Sequence, residues 1–241
     1  MCFQVQLVLE YTRSDAYWNQ RILEEVRGEA RYHHTSAFAR EPWPIVTMED
    51  PEHIRLMHCG LVPSHMKDAI GFLKQYSTYN AKSEEIYEKR TFAEAANGSR
   101  RCLIPVTGFF EWMHRGKQKF PHYIRKKGGG IMHFGGLYEG DTYTILTTEA
   151  NTRMAEIHNS KRRMPVIVPE GQERHWLDPS LTQEDVMDLC RSAPNEYLED
   201  WSVSRLITSH REETNVAEVW APHRYAELDP SHDHNASLFP G

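Results

Sequence analysis

The chain has 241 residues, of which 39% are hydrophobic and 26% charged, enough apolar content for a globular core. No run approaches the roughly 18 to 20 apolar residues of a membrane span, and the start, Met-Cys-Phe-Gln-Val-Gln, lacks the basic and apolar stretches of a signal peptide. A net charge of −6 excludes a protein that is basic all over, while leaving room for a local groove built from some of the 28 Lys and Arg residues. The cysteines at 2, 59, 102 and 190 are too scattered for a disulfide framework and lack zinc-site spacing. The expectation is a reduced, cytoplasmic protein that needs no membrane.

In chain order, residues 3–9 alternate and predict a strand. Ser14-Asp15 predicts a helix start, with Trp18, Ile22, Leu23 and Val26 on one face and Gly28 as the stop. Residues 33–51, rich in Pro, His and Thr, predict a loop. Residues 58–63 predict a short strand, Ser64 a cap, and Ala69, Phe72, Leu73 and Tyr76 the apolar face of a helix. Residues 79–84 predict a polar loop. Strands are expected at 102–106, 109–113, 122–125, 132–137 and 143–147, separated by turns at Gly116, Gly128-Gly129-Gly130 and Gly140-Asp141. A short helix at 154–158, a strand at 165–168, a helix at 183–190 and a strand at 201–207 follow. Strands dominate without regular β-α-β alternation, which predicts an α+β fold. One domain is expected over residues 2–221, with a partly disordered tail at 222–241.

Four segments carry chemistry. Removal of Met1 would leave Cys2 with a free α-amine and a free thiol, a 1,2-aminothiol. Its amine meets an aldehyde as an imine, and its thiol then closes a five-membered thiazolidine, an intramolecular step favoured by proximity. Unperturbed, such an amine titrates at about 8 and a thiol at about 8.5, so both nucleophiles are available near neutrality. The plain alternative is that Cys2 is simply a strand residue. In Thr107-Gly108-Phe109-Phe110-Glu111-Trp112 an acid stands among aromatics; buried, it can shuttle protons, and otherwise it lies on the wet face of an edge strand. In the segment at 157–168, His158 can act as acid or base, and Lys161, Arg162 and Arg163 can hold phosphates; the alternative is a helix-end histidine and a solvated basic turn. In Asn80-Ala81-Lys82-Ser83-Glu84, the amide can orient a sugar oxygen and the lysine can meet a phosphate, unless the segment is an ordinary loop.

Taken together, the initial Met-Cys, Gly60-Leu61-Val62-Pro63-Ser64, Asn80-Ala81-Lys82-Ser83-Glu84, the segment at 102–112 and Ile157-His158 followed by Arg163-Met164-Pro165 resemble, in order, the SRAP (SOS-response-associated peptidase) family of abasic-site processing proteins. The resemblance spans about residues 2 to 220. It implies a compact domain around a curved, barrel-like antiparallel sheet with flanking helices. It also implies a protein that binds single-stranded DNA and crosslinks to abasic sites; the aminothiol supplies the chemistry, so no cofactor is expected, and a monomer is expected. Carried over by motif, Cys2 is the nucleophile, Asn80 orients the opened sugar, Glu111 relays protons and His158 helps open the ring. Lys74, Lys82, Arg90, Arg162 and Arg163 are the expected groove cations. The family name further implies autopeptidase action on Met1, and imine chemistry carries a possible lyase outcome.

This chain departs from the family pattern in several places. Phe3-Gln4 stands for Gly-Arg, Lys82 for an arginine with its planar fork, and Cys59 and His65 for tryptophans that would stack on bases; Ser160-Lys161-Arg162 are extra. Two other readings use the same residues. One is an N-terminal-nucleophile hydrolase such as a glutamine amidotransferase, which would use Cys2 with its α-amine as base. The other is a non-covalent binding module for single-stranded or modified DNA.

Overall fold

The densest stretch of structure runs from residue 101 to 149, where five strands follow one another with short turns. The computed structural model describes residues 4–8, 31–209 and 211–228 of the chain. The helix expected after Ser14, and Cys2 itself, lie outside the described residues.

The strands are β1 (Gln4–Val8), β2 (Arg31–Ser36), β3 (Trp43–Thr47), β4 (Ile54–Cys59), β5 (Asn80–Lys82), β6 (Arg101–Val106), β7 (Gly108–Arg115), β8 (Gln118–Lys126), β9 (Met132–Glu139), β10 (Thr142–Glu149), β11 (Arg163–Pro165), β12 (Ile167–Val168) and β13 (Leu198–Ser202). The helices are α1 (Ala69–Gln75), α2 (Arg90–Asn97), α3 (Thr152–Ile157), α4 (Glu173–Trp176) and α5 (Gln183–Leu189). This is the α+β architecture expected, mostly antiparallel, with few and short helices.

Two sheets face one another. One has the order β13-β8-β7-β1-β2 and is antiparallel throughout. In the other, β10-β4-β3-β6-β9 closes on itself through the β10–β9 pairing, so five strands form a ring. Closure removes the unpaired edges that an open sheet would expose. Strand β10 is the spine of that ring. Along one edge it pairs in parallel first with β4 and then with β5. Along the other it pairs first with β9 and then with β11.

The sheets bury one core between them, with Val5, Leu7, Trp43, Ile45, Phe109, Ile124, Phe134 and Ile145 at its centre. A second cluster holds α2, α4 and α5 against the ring through Phe92, Trp176 and Val186. Trp176 is pinned there by an indole bond to the Cys102 carbonyl at 2.9 Å, and the buried Arg101 Nε donates to the Trp176 carbonyl at 2.9 Å. Two glycines are required for different reasons. Gly140 turns β9 into β10 at φ 57°, with open space around it. At Gly108 a Cβ would stand 2.3 Å from the Tyr123 hydroxyl, so only glycine lets that ring lie across β7.

Several expectations need correction. Residues 33–51 are no loop: β2, a helical turn at Ala37–Ala39 and β3 occupy most of the segment, and Trp43 and Ile45 are core residues. Pro44 is tolerated because it lies in the stretch of β3 that β4 pairs and β6 does not reach. The polar loop at 79–84 contains β5, whose backbone is completed by β10. Asp68, not Ser64, caps α1, accepting from the Gly71 N–H at 2.9 Å. The strand expected at 58–63 ends at Cys59, where Gly60 turns at φ 100°. The strand expected at 201–207 lies at β13, and Arg205–Thr208 form a helical turn. Of the tail expected at 222–241, residues 222–228 are described, with Tyr225 buried and its hydroxyl donating to the Val203 carbonyl at 2.8 Å, and residues 229–241 lie outside the described residues. Among the described residues no helix is long and apolar enough to cross a membrane.

Candidate functional site

Strand alternation places Glu111. Its neighbour Phe110 points to an outer aromatic cluster that Trp112 packs against, so Glu111 points the other way, inward, where it is 3% exposed. Directly across the β7–β8 ladder stands His122, also buried.

His158 arrives from the opposite side, at the end of α3. Its backbone N–H donates to the Met154 carbonyl at 2.7 Å, closing the helix. Its ring Nδ1 lies 2.8 Å from the Arg163 carbonyl. A carbonyl only accepts, so Nδ1 carries the proton there and Nε2 is left facing Glu111, 3.9 Å from Oε2. That distance is longer than a hydrogen bond and within reach of charge coupling. Asn159 locks the loop against β7: its amide accepts from the His114 N–H at 3.0 Å and donates to the His114 carbonyl at 2.8 Å.

Asn80 comes from β5, buried, with its backbone paired to Ile145 on the spine strand. The end of that segment is tied to β11 by a bidentate ion pair, Arg163 Nη1 and Nη2 to Glu84 at 2.7 Å each. Burial alone would push the Glu84 carboxyl up; the Arg163 hydrogen bonds and charge outweigh it and hold it below the usual carboxylate range. Arg163 therefore links the segments of Asn80 and His158: its guanidinium holds Glu84 and its carbonyl orients His158.

The other expected cations are placed differently. Lys74 is exposed in the last turn of α1, and Arg90 is exposed at the first residue of α2. Lys82 is exposed and paired with Glu85 at 2.6 Å. Arg162 is exposed in the turn before β11, at φ 51°.

The remaining cysteines are poor nucleophiles. Cys59, Cys102 and Cys190 are free and buried. Burial pushes the thiols of Cys59 and Cys190 up to about 12, and that of Cys102 up as well. Among the described residues no group of three or more His, Cys, Asp or Glu side chains is arranged to hold a metal ion.

The sequence reading missed one network. Asp200 on β13 accepts from His122 Nδ1 at 3.1 Å and is gripped by Arg153 through Nε at 2.7 Å and Nη2 at 2.9 Å. Burial raises the Asp200 carboxyl, but the His122 and Arg153 hydrogen bonds outweigh it and hold it below its ordinary value. The only sequence signal was an alternating strand with a histidine opposite Glu111.

Comparison with known proteins gives the family. The family described as SOS response associated peptidase (SRAP) matches residues 1–210. An abasic site processing protein, YoqW, of Bacillus subtilis is 32% identical over 223 residues, covering 87% of this chain and 95% of its own. Abasic site processing protein HMCES of Gallus gallus is 29% identical over 189 residues, covering 66% of this chain and 54% of its own. A crystal structure of a protein from Bacteroides thetaiotaomicron superposes with a TM-score of 0.78 at 25% identity, covering 92% of this chain and 100% of its own.

Proposed function

Because the chain belongs to the SOS response associated peptidase family, we propose that it processes abasic sites in single-stranded DNA and bonds to them covalently through Cys2. The relatives named as abasic site processing proteins support the lesion class. The observation that carries the chemistry is the buried Glu111–His158 pair, 3.9 Å apart, with Glu111 on β7, the strand that β1 borders. Gln4 lies opposite Phe110, next to Glu111 in sequence. Two peptide units span at most about 7 Å, so an N-terminal Cys2 would be tethered close to the acid.

Crosslinking of the freed Cys2 balances with loss of one water; the prior hydrolysis that removes Met1 consumes one. Met1 is removed, by an aminopeptidase or by autopeptidase action, and the Cys2 α-amine is freed. His158 and Asn80 favour the ring-opened sugar, whose C1′ aldehyde the amine attacks. Glu111 passes a proton to the carbinolamine oxygen, which leaves as water and yields the imine. The Cys2 thiolate adds to the imine carbon, the nitrogen takes up the proton, and the thiazolidine closes. Ring closure consumes the imine that would otherwise lead to β-elimination and strand cleavage. The exposed cations Lys74, Lys82, Arg90 and Arg162 are the proposed phosphate contacts. Arg163 is held by Glu84 and would meet a phosphate only on releasing it.

The test is incubation with an abasic single strand, followed by heat and detergent. A stable adduct is expected for the parent and none for Cys2→Ala. An adduct of equal yield with Cys2→Ala would remove Cys2 from the mechanism.

A further inference from the structure

The chemistry proposed above leaves a buried histidine beside Glu111 unused. Residues directly opposite in an antiparallel ladder put their side chains on one face, with Cβ atoms about 4.5 to 5.5 Å apart. His122 on β8 is that partner of Glu111 on β7, and it is 5% exposed. Strand β8 lies between β7 and β13. The His122 ring sends Nδ1 to the β13 side, where Asp200 Oδ2 accepts at 3.1 Å. The two nitrogens of an imidazole point apart, so Nε2 is turned from β13 towards the β7 side. Among the described residues this buried Nε2 has no hydrogen-bond partner. A buried nitrogen left without a partner is costly, and a fold that keeps one calls for a use.

Glu111 therefore has a histidine on either side, and their other nitrogens are bonded to different groups. His158 gives its Nδ1 proton to a neutral carbonyl, that of Arg163. His122 gives its own to a carboxylate, which stabilises an imidazolium as a carbonyl does not. Asp200 is fixed for this task, since Arg153 grips it through Nε at 2.7 Å and Nη2 at 2.9 Å. His122 and Arg153 also line a cleft of about 720 Å³. The other charged groups of that lining are Arg115, Arg162 and Glu156, and Glu156 is held by Arg153 at 2.8 Å.

We propose that His122 is a positioning residue that stores the proton Glu111 handles. The inference rests on the abasic-DNA reading and adds a second histidine to that site. His122 starts as an imidazolium, with Asp200 as its counter-ion. Its Nε2 proton passes through Glu111 to the carbinolamine hydroxyl, which leaves as water. The nitrogen of the forming imine gives up its own proton, which returns through Glu111 to Nε2. His122 thus ends each dehydration as it began, and the thiol proton goes to the imine nitrogen as the ring closes. The benefit is electrostatic. A carboxylate in a dry pocket is costly, and a cation kept across the ladder lets Glu111 stay ionised between transfers.

The experiment measures the rate of adduct formation per folded molecule, with a saturating abasic single strand. His122→Ala is expected to react about tenfold more slowly, a smaller loss than that of a general acid itself. Added imidazole can enter through the cleft that the missing ring lined, and it should restore most of the lost rate. His122→Asn keeps a donor for Asp200 but binds no proton, so it should be as slow as His122→Ala while keeping that bond in the fold. In Glu111→Gln, neither substitution at 122 nor imidazole should change the rate further, because the store acts only through the acid. A parental rate in His122→Asn would show a ring that only packs. A tenfold loss that persists on the Glu111→Gln background would show a ring that acts apart from the acid. Either result overturns the proton store and leaves the abasic-DNA reading intact. A parent that forms no adduct overturns that reading, and the store with it.

Discussion

The two faces of the five-stranded sheet are built from the same strands, one residue out of step, and they do opposite things. On the outer face, Phe110 and Tyr123 pack with ring centroids 5.1 Å apart, Tyr123 meets Trp201 at 5.1 Å and Trp220 at 5.9 Å, and Val203, Ile207 and Val219 close the cluster. On the inner face the neighbouring positions are Glu111, His122 and Asp200, with His158 and Arg153 brought against them. Burying ionisable groups costs stability, whereas burying aromatic rings supplies it. A period of two lets one strand do both: the aromatics that flank Glu111 in sequence stabilise the sheet from behind, so the acid can sit in a dry pocket.

That comparison breaks first if the outer face is hollowed. Phe110→Ala should cost about 3 to 5 kcal/mol in urea unfolding, while the folded fraction keeps its rate of adduct formation. A matching collapse of rate per folded molecule would show that the faces are not separable.

The converse change is Glu111→Gln. It should slow adduct formation about 100-fold, some 2.7 kcal/mol at the barrier, with DNA affinity and melting temperature close to the parent's. An unchanged rate would take proton transfer away from the inner face.

A pH-dependent effect sharpens the boundary between the faces. His34 packs edge-on against Phe110 at 5.7 Å, and its ring is bonded to Thr214 and Gln4. Burial lowers it from 6.5 to about 4, with Glu213 pulling weakly the other way. Between those values an unfolded histidine takes up a proton that the folded one refuses. Stability should therefore fall as pH drops from about 6.5 to about 4 and level off below, by this group alone. In His34→Gln that part of the slope should vanish from urea midpoints measured across the window; an identical slope would assign the acid sensitivity to other groups.

What could be read before folding follows the range of the interactions. β6 to β10 announce themselves because each strand alternates and each turn carries its glycine, both local properties. β2 and β3 do not, because His33, His34 and Pro44 look like loop residues. Their reason for being strand lies in other segments: β1 pairs β2, β4 and β6 pair β3, and Asn215, 182 residues from His33, accepts from its N–H at 2.7 Å. β5 is three residues long and is a strand only because β10 lies beside it. At the site, Glu111 and His158 stood out by residue type and context, and they meet. His122, Asp200 and Arg153 did not stand out, since Asp200 lies 78 residues from His122 and 47 from Arg153.

The covalent claim is tested most directly by mass spectrometry of the protein after reaction with an abasic single strand. The expected product is a chain without Met1, heavier by the oligonucleotide less one water, with the added mass on the peptide that begins at Cys2. A product carried on a lysine or on an internal cysteine, or no product from a chain that has lost Met1, would contradict it.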